Sequence, residues 1–436
     1  MNLLDSVKID KCKCGKIHES GVLSVISGSG AVEKLPEALL SLGAKRAYVI
    51  ADQNTYAVCG ERVIELLSKS GIGYTKFVFN SASLEPDEHA LGSAVMNFDK
   101  SCDTVLAIGS GVIGDISKIV STVSGTHYAI VATAPSMDGY ASRGSSMIVN
   151  GLKKTVSSRC PEIVIGDTDI LKTAPDKMLV SGLGDMLAKY VSICEWRIGN
   201  LITGEYYCES IAALVRKALN RVVSNAEGLM KREDSAILAV FEGLVLSGVA
   251  MDYAGISRPA SGVEHYISHV WDMRSLEFGT NASTHGIQCA IGTLITVRLY
   301  EKIKEVLPNR DKAVKFSESF DLDAHKARLS EFLGNAARQM MNAEDFDLKY
   351  DVTAHKNRLE IIINNWKSII EIINDELPSS EKIESILLKV GCPACCSEIG
   401  IDEKIIPDTF RATKDIRDKY ILSRLAHDLG VTDEIL

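Results

Sequence analysis

The stretch Asp103–Ser142, DTVLAIGSGVIGDISKIVSTVSGTHYAIVATAPSMDGYAS, decides the fold. Its apolar run Thr104–Ile108 predicts a buried strand, and the glycine cluster that follows leads into a predicted helix opening at Ile113. A second apolar run, Tyr128–Thr133, predicts the next strand. Glycines let a backbone approach a phosphate closely, and the N–H groups at a helix start favour an anion. The stretch therefore predicts a strand, turn, helix and strand that can bind a nucleotide phosphate.

Gly109, Gly111 and Gly114 fit the pattern G-x-G-x-x-G. The dinucleotide fingerprint places this turn in the first strand–helix unit, with an acid about 20 residues later. In this chain about a hundred residues precede the turn, and no acid follows at that spacing. Asp52, which ends the apolar run Ala47–Ala51, is the best candidate for binding a ribose hydroxyl pair. Two alternatives stay open: a tight turn without ligand, and an Asp52 that only caps the next helix.

Composition limits the function classes. A chain of 436 residues with 46% hydrophobic and 24% charged residues suggests two globular domains. The net charge of −9 and the absence of a dense Lys/Arg run argue against a nucleic-acid surface. The N-terminal sequence lacks the apolar core of a secretory signal, and the most apolar stretch, Ala236–Met251, is interrupted by Glu242. We expect a soluble cytoplasmic protein with neither nucleic-acid nor membrane partners.

Eleven cysteines in a long chain without a signal argue for free thiols rather than disulfides. Most are isolated in apolar surroundings and are expected to be core residues. The motif Cys12-x-Cys14-Gly15-x-x-His18 has metal-binding residue types at an unusual spacing, so it indicates either a metal site or a reduced, hairpin-like turn. Metal binding or redox chemistry is also an alternative at Cys392, Cys395 and Cys396.

Apolar periodicity divides the chain at about residue 170. Before that point, strands alternate with helices, which predicts a Rossmann-like α/β domain with a parallel sheet, residues 1–170. The predicted strands are Tyr48–Ala51, Thr75–Phe79, Thr104–Ile108, Ala129–Thr133 and Ile163–Ile165, and the predicted helices are Ala31–Leu42, Gly60–Ser70, Pro86–Phe98 and Ile113–Ser121. Afterwards the 3.6-residue period predicts an all-helical domain, residues 171–436. Its helices are Lys177–Arg197, Tyr206–Ala226, Arg232–Met251, Arg310–Met341 and Leu359–Asn374.

Metal-binding residue types recur in the helical part. Asp185 follows two glycines in a helical pattern, where glycine is tolerated when another group must approach closely. His265 and His269 are four residues apart and share one helix face, and His285 follows after a loop. One carboxylate and two imidazoles suit zinc, nickel or ferrous ion. Alternatively, each histidine is an ordinary buried, hydrogen-bonded residue.

Taken in order, the motifs GSGVIGD, TAPSMDGYAS, GLGD, SRPASGVEHYISH and HG resemble the metal-dependent polyol dehydrogenase and dehydroquinate synthase-like superfamily. SMDGYAS together with RPASGVEHYISH resembles its sn-glycerol-1-phosphate dehydrogenase family. The resemblance covers roughly residues 30–300, with a weaker similarity at Ile416–Gly430. It implies reversible reduction of dihydroxyacetone phosphate to sn-glycerol 1-phosphate, with NAD(H) or NADP(H) and one divalent metal ion (zinc, nickel or iron), in a homo-oligomer.

The resemblance also implies roles for individual residues. Those implied for metal binding are Asp185, His265 and His285, with His269 beside the ion. We expect His269 to contact substrate, and either His269 or metal-bound water to deliver the proton. Those implied for the cofactor are Asp52, Gly109, Gly111, Gly114, Asp115, Lys118, Thr133, Ser136 and Ser142. The resemblance implies that Asp138 contacts a substrate hydroxyl. Independently of the resemblance, the side-chain chemistry of Arg258, Ser257 and Ser261 suits the substrate phosphate. A carboxylate at position 52 disfavours a 2′-phosphate, so NADH is expected over NADPH.

Two other reactions remain alternatives. A dehydroquinate synthase-like carbon–oxygen lyase is one alternative, because such enzymes carry a similar glycine turn. Resemblance to the synthases would, however, imply a glutamate at the position where this chain has Asp185. A dehydrogenase of an unphosphorylated polyol needs no phosphate-binding residue such as Arg258.

Overall fold

The computed structural model describes residues 2–9, 11–81, 83–280, 283–342 and 346–436. Eight strands occur there: β1 (Ser24–Gly28), β2 (Arg46–Asp52), β3 (Gly73–Phe79), β4 (Thr104–Gly109), β5 (His127–Ala132), β6 (Gly144–Val149), β7 (Leu152–Ser157) and β8 (Ile163–Asp167). Six of them form one parallel sheet in the order β1-β8-β5-β4-β2-β3. The predicted parallel α/β fold is therefore confirmed.

Twenty α-helices lie in the described part of the chain. They are α1 (Leu35–Ser41), α2 (Gln53–Lys69), α3 (Glu88–Met96), α4 (Gly111–Ser124), α5 (Thr168–Leu171), α6 (Asp176–Leu187), α7 (Lys189–Thr203), α8 (Glu209–Leu229), α9 (Asp234–Ala254), α10 (Val263–Phe278), α11 (His285–Lys304), α12 (Arg310–Glu318), α13 (Leu322–Leu333), α14 (Asn335–Met341), α15 (Val352–Asn364), α16 (Trp366–Glu376), α17 (Ser380–Lys389), α18 (Ile406–Ile416), α19 (Leu422–Asp428) and α20 (Thr432–Ile435). No β-strand follows β8 in the described residues, which confirms the predicted all-helical continuation.

Both faces of the parallel sheet are buried, and this explains why its strands read as continuous apolar runs. Every residue of β4 is buried. Leu106 and Ile108 join the apolar core that α1 and α2 complete. Gly166 in β8 carries no side chain because a Cβ there would lie 1.9 Å from the ring of Phe241 in α9. The glycine lets α9 pack directly onto the sheet.

The sheet has a topological switch point between β2 and β4. The chain leaves β2 through α2 toward β3 at one edge, and it leaves β4 through α4 toward β5 on the other side. Ile50 pairs with Ala107 in these neighbouring parallel strands, so Asp52 and Gly109 both end their strands at the same edge. Ligands of open parallel sheets bind at such a crevice.

By its internal contacts the chain forms two compact units. The first unit contains Met1–Met186 and Glu209–Ser257, and the second contains Leu187–Cys208 and Arg258–Leu436. The predicted boundary near residue 170 marks the end of the sheet, whereas the first unit also includes α8 and α9. Helix α9 is apolar and long enough to span a membrane, but 78% of its most apolar window is buried inside the protein, as in a core helix.

Three predicted single helices are interrupted. The segment Lys177–Arg197 is divided between α6 and α7 at Ala188, and Leu359–Asn374 is divided between α15 and α16 at Asn365. The segment Arg310–Met341 forms α12, α13 and α14. There, Asp321 caps α13 by accepting from the Ala324 N–H at 2.9 Å, and a left-handed φ of 56° at Gly334 separates the last two. These helices stop at local caps that periodicity does not detect.

Candidate active-site residues

The glycine turn joins β4 to α4 as predicted. Gly109 is required by the fold, because a Cβ there would lie 2.5 Å from Cβ of Ile113. At Gly111 and Gly114, by contrast, the nearest atoms to an added Cβ are 3.5 Å away, on Met137 and Ile130 respectively. A methyl group at these two positions would meet only ordinary van der Waals contacts. Pyrophosphate binding at this turn, with the N–H groups of the first turn of α4 as donors, stays a prediction.

Asp52 caps the helix that follows β2. Its Oδ1 accepts from the backbone N–H of Asn54 at 2.7 Å and of Thr55 at 2.9 Å, and the Thr55 hydroxyl accepts from the Asp52 N–H at 3.1 Å. Asp52 is therefore the N-cap of α2. Both bonds use Oδ1, so capping is compatible with a ribose contact through the other carboxylate oxygen, and that contact stays a prediction.

Asp115 and Lys118 lie one turn apart in α4 and form an ion pair, with 3.6 Å between Asp115 Oδ1 and Lys118 Nζ; Lys118 is buried and Asp115 is half-buried. Burial raises the pKa of Asp115 and lowers the pKa of Lys118. The ammonium donates to the Gly139 and Gly144 carbonyls, the latter at 3.1 Å, and to the Ser142 hydroxyl at 3.1 Å. Lys118 thus supports the segment after β5, while direct cofactor contacts of these side chains stay predictions.

Thr133 and Ser136 follow β5 beside the glycine turn. The backbone N–H of Thr133 donates to the Gly109 carbonyl at 3.1 Å, and the hydroxyls of Ser136 and Ser110 are 2.6 Å apart. Tyr140 also donates to Ser110, at 3.0 Å. These hydrogen bonds fix the end of β5 against the glycine turn. Thr133 and Ser136 therefore lie beside that turn, and their contact with the cofactor stays a prediction.

Asp138 and Asp185 meet within the first unit. The Asp138 backbone N–H donates to Oδ2 of Asp185 at 2.8 Å, and the Ser247 hydroxyl donates to Oδ2 of Asp138 at 2.9 Å. Helix α6 comes this close because Gly182 has no side chain: a Cβ there would lie 1.8 Å from the Pro135 carbonyl oxygen. The predicted close approach at this glycine is confirmed.

In the second unit, His265 and His285 lie side by side on α10 and α11, with ring centroids 5.1 Å apart. His265 Nδ1 is 2.8 Å from Oε1 of Glu264, and His285 Nδ1 is 3.1 Å from the hydroxyl of Ser268. Metal-binding histidines are usually oriented by a hydrogen bond to the second ring nitrogen. Each Nδ1 has such a neighbour, and metal binding through Nε2 of both rings stays a prediction.

His269 lies next to this pair, and its ring stacks on that of His285 with centroids 6.1 Å apart. Cys289 is a residue that sequence reasoning treated only as core. Its sulfur lies 3.6 Å from Nε2 of His285, and His265, His285 and Cys289 form a group whose ligand atoms are within 4.8 Å of one another. The His285-x-x-x-Cys289 spacing on one helix face was the available signal.

Arg258 is buried in the second unit. Its guanidinium donates through Nε to Glu205 at 2.7 Å, through Nη2 to the same carboxylate, and through Nη1 to the Tyr420 carbonyl at 3.0 Å. These contacts use three of five N–H donors. Phosphate binding by Arg258, Ser257 and Ser261 stays a prediction.

Sequence reasoning missed the buried charges in this unit. Burial, together with the neighbouring Glu264 carboxylate, raises the pKa of Glu195 to about 8, although its oxygens accept from the N–H groups of Val263 and Leu422, each at 2.8 Å. Burial, followed by the charge of Arg258, lowers the pKa of Lys419 to about 7. These residues are distant in sequence, so no local motif identifies them.

The donors fit a divalent metal ion. His265 and His285 are oriented imidazoles, Asp185 is a fully buried carboxylate, and Oε2 of Glu264 is a buried oxygen without a hydrogen-bond partner. This nitrogen and oxygen chemistry suits zinc, nickel or ferrous ion.

The C-terminal cysteines are Cys392, Cys395 and Cys396. The Cys395 N–H donates to the carboxylate of Glu398 at 3.2 Å. Among the described residues, none of these three thiols belongs to a group that could hold a metal ion.

Comparisons with known proteins agree with this description. The family model for iron-containing alcohol dehydrogenase matches residues 26–175. Glycerol-1-phosphate dehydrogenase (NAD(P)+) of Halalkalibacterium halodurans is 29% identical over 416 residues, which is 94% of each chain. The enzyme of the same name from Methanosarcina acetivorans is 33% identical over 277 residues, 63% of this chain and 76% of that protein. The crystal structure of glycerol dehydrogenase from Schizosaccharomyces pombe matches with a TM-score of 0.61 at 18% identity, covering 95% of this chain and 89% of the other.

The relatives therefore show that the chain is an oxidoreductase of the NAD(P)-linked dehydrogenase class, and residues 26–175 match the iron-containing alcohol dehydrogenase model. Within that class, the chain belongs to the glycerol-1-phosphate dehydrogenase family.

Proposed function

We propose that the protein reduces dihydroxyacetone phosphate to sn-glycerol 1-phosphate with NADH, reversibly, using one divalent metal ion. The observation that carries this proposal is that each of the three predicted ligands has a hydrogen-bonding neighbour that orients it. Asp185 is held by the Asp138 N–H, His265 by Glu264, and His285 by Ser268. Substrate identity is supported by the names of the relatives.

Asp185, His265 and His285 are the proposed ligands of the ion. When bound, it supplies a Lewis acid that stabilises the negative charge developing on the substrate oxygen. Of zinc, nickel and iron, the donors favour none.

The reaction adds one hydride and one proton. Bound NADH would supply the hydride to the carbonyl carbon, with the carbon–oxygen π electrons moving to oxygen and NAD+ as the second product. We assign proton delivery to the imidazolium of His269, whose ring stacks on His285. Asp138, whose Oδ2 accepts from Ser247, orients a substrate hydroxyl through its carboxylate. Arg258 binds the phosphate through its two remaining N–H donors.

The cofactor site is proposed at the switch point of the sheet. Gly109, Gly111 and Gly114 border the pyrophosphate, and Asp52 binds the adenine ribose. Because Asp52 is negatively charged, NADH is favoured over NADPH. A cytoplasmic location and a homo-oligomeric assembly stay predictions from the sequence.

The test is NADH oxidation by metal-reconstituted enzyme, with dihydroxyacetone phosphate and dihydroxyacetone compared side by side. We expect turnover with the phosphorylated ketone only, abolished by chelation and restored by the added metal. Equal turnover of both ketones would favour a dehydrogenase of unphosphorylated polyols, and Arg258→Ala would then leave KM unchanged. No net NADH oxidation with either ketone would favour the lyase, in which NAD is recycled.

A further inference from the structure

The motif Cys12-x-Cys14-Gly15-x-x-His18 lies in the first unit, away from the residues assigned above to catalysis. Residues 11–23 form neither helix nor strand. Cys12 and Cys14 are joined by a tight turn in which the Gly15 N–H donates to the Cys12 carbonyl at 3.2 Å, with a left-handed φ of 78° at Gly15. This turn places two thiols close together, as metal-binding turns do.

The side chains of the motif converge. Cys14 Sγ is 3.2 Å from His18 Nε2, and the potential ligand atoms of Cys12, Cys14 and His18 all lie within 4.8 Å of one another. His18 is buried, and its Nδ1 is 3.1 Å from the Tyr253 carbonyl oxygen in α9. That hydrogen bond places the ring proton on Nδ1 and the lone pair on Nε2, toward the thiols. A carbonyl on the second ring nitrogen is the usual way in which a metal-binding histidine is oriented.

A third thiol, that of Cys208, lies near Ser210, which contacts this group. Cys12 Sγ donates to the Ser210 hydroxyl at 3.4 Å, in the first turn of α8. Cys208 is buried and lies two residues before Ser210, immediately before α8 begins at Glu209. None of Cys12, Cys14 and Cys208 is in a disulfide. Three thiolates and one imidazole are a set typical of structural zinc sites.

We propose that Cys12, Cys14 and His18, with Cys208 as the fourth ligand, bind a structural zinc ion that is separate from the catalytic metal. Soft sulfur ligands select zinc, whereas the proposed catalytic donors are nitrogen and oxygen. Four protein ligands leave no open position for substrate, so the zinc holds the segment 11–23 against α8 and α9. Binding closes a loop of nearly two hundred residues, and metal binding of this kind contributes directly to folding.

Metal content of untagged protein tests the proposal without relying on activity. Elemental analysis would compare wild type with Cys14→Ser, His18→Gln and Asp185→Asn, and with Cys59→Ala as the control for loss of a buried thiol in the same unit. We expect Cys14→Ser and His18→Gln each to lose one zinc per chain while keeping the metal that Asp185→Asn loses. Cys59→Ala should lose none. Zinc content equal to wild type in both motif variants would overturn the proposal.

Cobalt substitution of the wild-type protein covers the case in which the variants do not fold. Cobalt(II) bound by three thiolates should give a thiolate-to-metal charge-transfer band in the near ultraviolet and tetrahedral ligand-field bands in the visible region. Bound cobalt without the charge-transfer band would contradict the assignment. Cys208→Ser should weaken zinc binding and reduce the charge-transfer intensity. Unchanged binding would exclude Cys208 as the fourth ligand.

Discussion

The backbone N–H of Asp138 donates to Oδ2 of Asp185 at 2.8 Å, so the turn assigned to substrate binding also orients an assigned metal ligand. We expect Asp185→Asn to fold, because the amide oxygen can still accept this bond. Loss of the carboxylate should lower metal affinity by more than about a hundredfold, beyond the effect of removing an outer-shell partner. Metal titration followed by turnover measures it. Ser247→Ala is the control: it removes the 2.9 Å bond to Asp138 and should raise the substrate KM with metal content unchanged.

Glu264 and Ser268 should act on the metal through the histidines. Each holds one Nδ1, at 2.8 Å from His265 and 3.1 Å from His285 respectively. Glu264→Gln and Ser268→Ala are expected to weaken metal binding by about 10–100-fold while keeping kcat near wild type at saturating metal, because outer-shell partners orient the ligands. Equilibrium metal binding measured beside kcat separates the two effects. An unchanged metal affinity in both variants would contradict this role.

The packing of the protein leaves room for a Cβ atom at Gly111, so a substitution there can test the cofactor site without disturbing the fold. Gly111→Ala should change the free energy of unfolding by less than about 1 kcal/mol, because an added Cβ meets nothing closer than 3.5 Å. It should raise the KM for NADH by about tenfold to a hundredfold, since the methyl group displaces the pyrophosphate. Gly92→Ala in α3, with nothing within 4 Å of the added Cβ, is the control and should leave KM unchanged.

The choice between NADH and NADPH is tested at Asp52. Asp52→Asn keeps an N-cap oxygen for the Asn54 and Thr55 N–H groups but removes the charge. We expect roughly 1 kcal/mol less repulsion of a 2′-phosphate, about a fivefold shift of the KM ratio toward NADPH. Asp87→Asn is the matched control, because Asp87 caps α3 through the Ala90 N–H at 2.7 Å. A ratio unchanged in Asp52→Asn would limit Asp52 to capping.

The sequence predicted most of the sheet because strands buried on both faces are continuous apolar runs. It missed β1, whose five residues SVISG are mostly small and polar. It also missed the hairpin of β6 and β7, where polar residues obscure the alternation. A signal existed there: Asn150-Gly151, with φ of 52° and 73°, lies between the paired residues Val149 and Leu152. Such an Asn-Gly pair is a strong hairpin signal.

The family resemblance is confirmed, and the site residues that it implies stay predictions. Side-chain partners were not predicted. The resemblance did not predict which groups Lys118 contacts. Its ammonium donates to the carbonyls of Gly139 and Gly144, which follow more than 20 residues later in the chain. The pairing of Arg258 with Glu205 likewise depends on a neighbour 53 positions away. Such partners are set by tertiary packing, which local patterns do not encode.

Asp415 should make stability depend on acid pH. It is buried, with His325 Nε2 at 2.8 Å, the Tyr350 hydroxyl at 2.7 Å, Lys414 Nζ at 3.5 Å and an Arg424 nitrogen at 3.7 Å. Burial acts to raise the pKa of this carboxyl, but Lys414, His325 and Arg424 together hold it well below its ordinary 3.8. The pKa of Asp415 in the folded protein is therefore lower than in the unfolded chain. The stabilisation by its carboxylate is fully present above the ordinary pKa of 3.8, and it is lost as the pH falls through the folded pKa.

Asp415→Asn should cost ~3–5 kcal/mol of unfolding free energy at neutral pH, since it leaves buried cations without their partner. The cost should shrink as pH falls below the ordinary value of 3.8, because the wild-type carboxyl then loses its own stabilisation. Urea unfolding of both proteins at neutral and acid pH measures the difference. Comparing the two proteins at each pH cancels the titration of the groups that both retain, except for His325, whose hydrogen-bonding carboxylate is replaced in the variant. A cost that is the same at every pH would show that the carboxylate charge is not what stabilises this cluster.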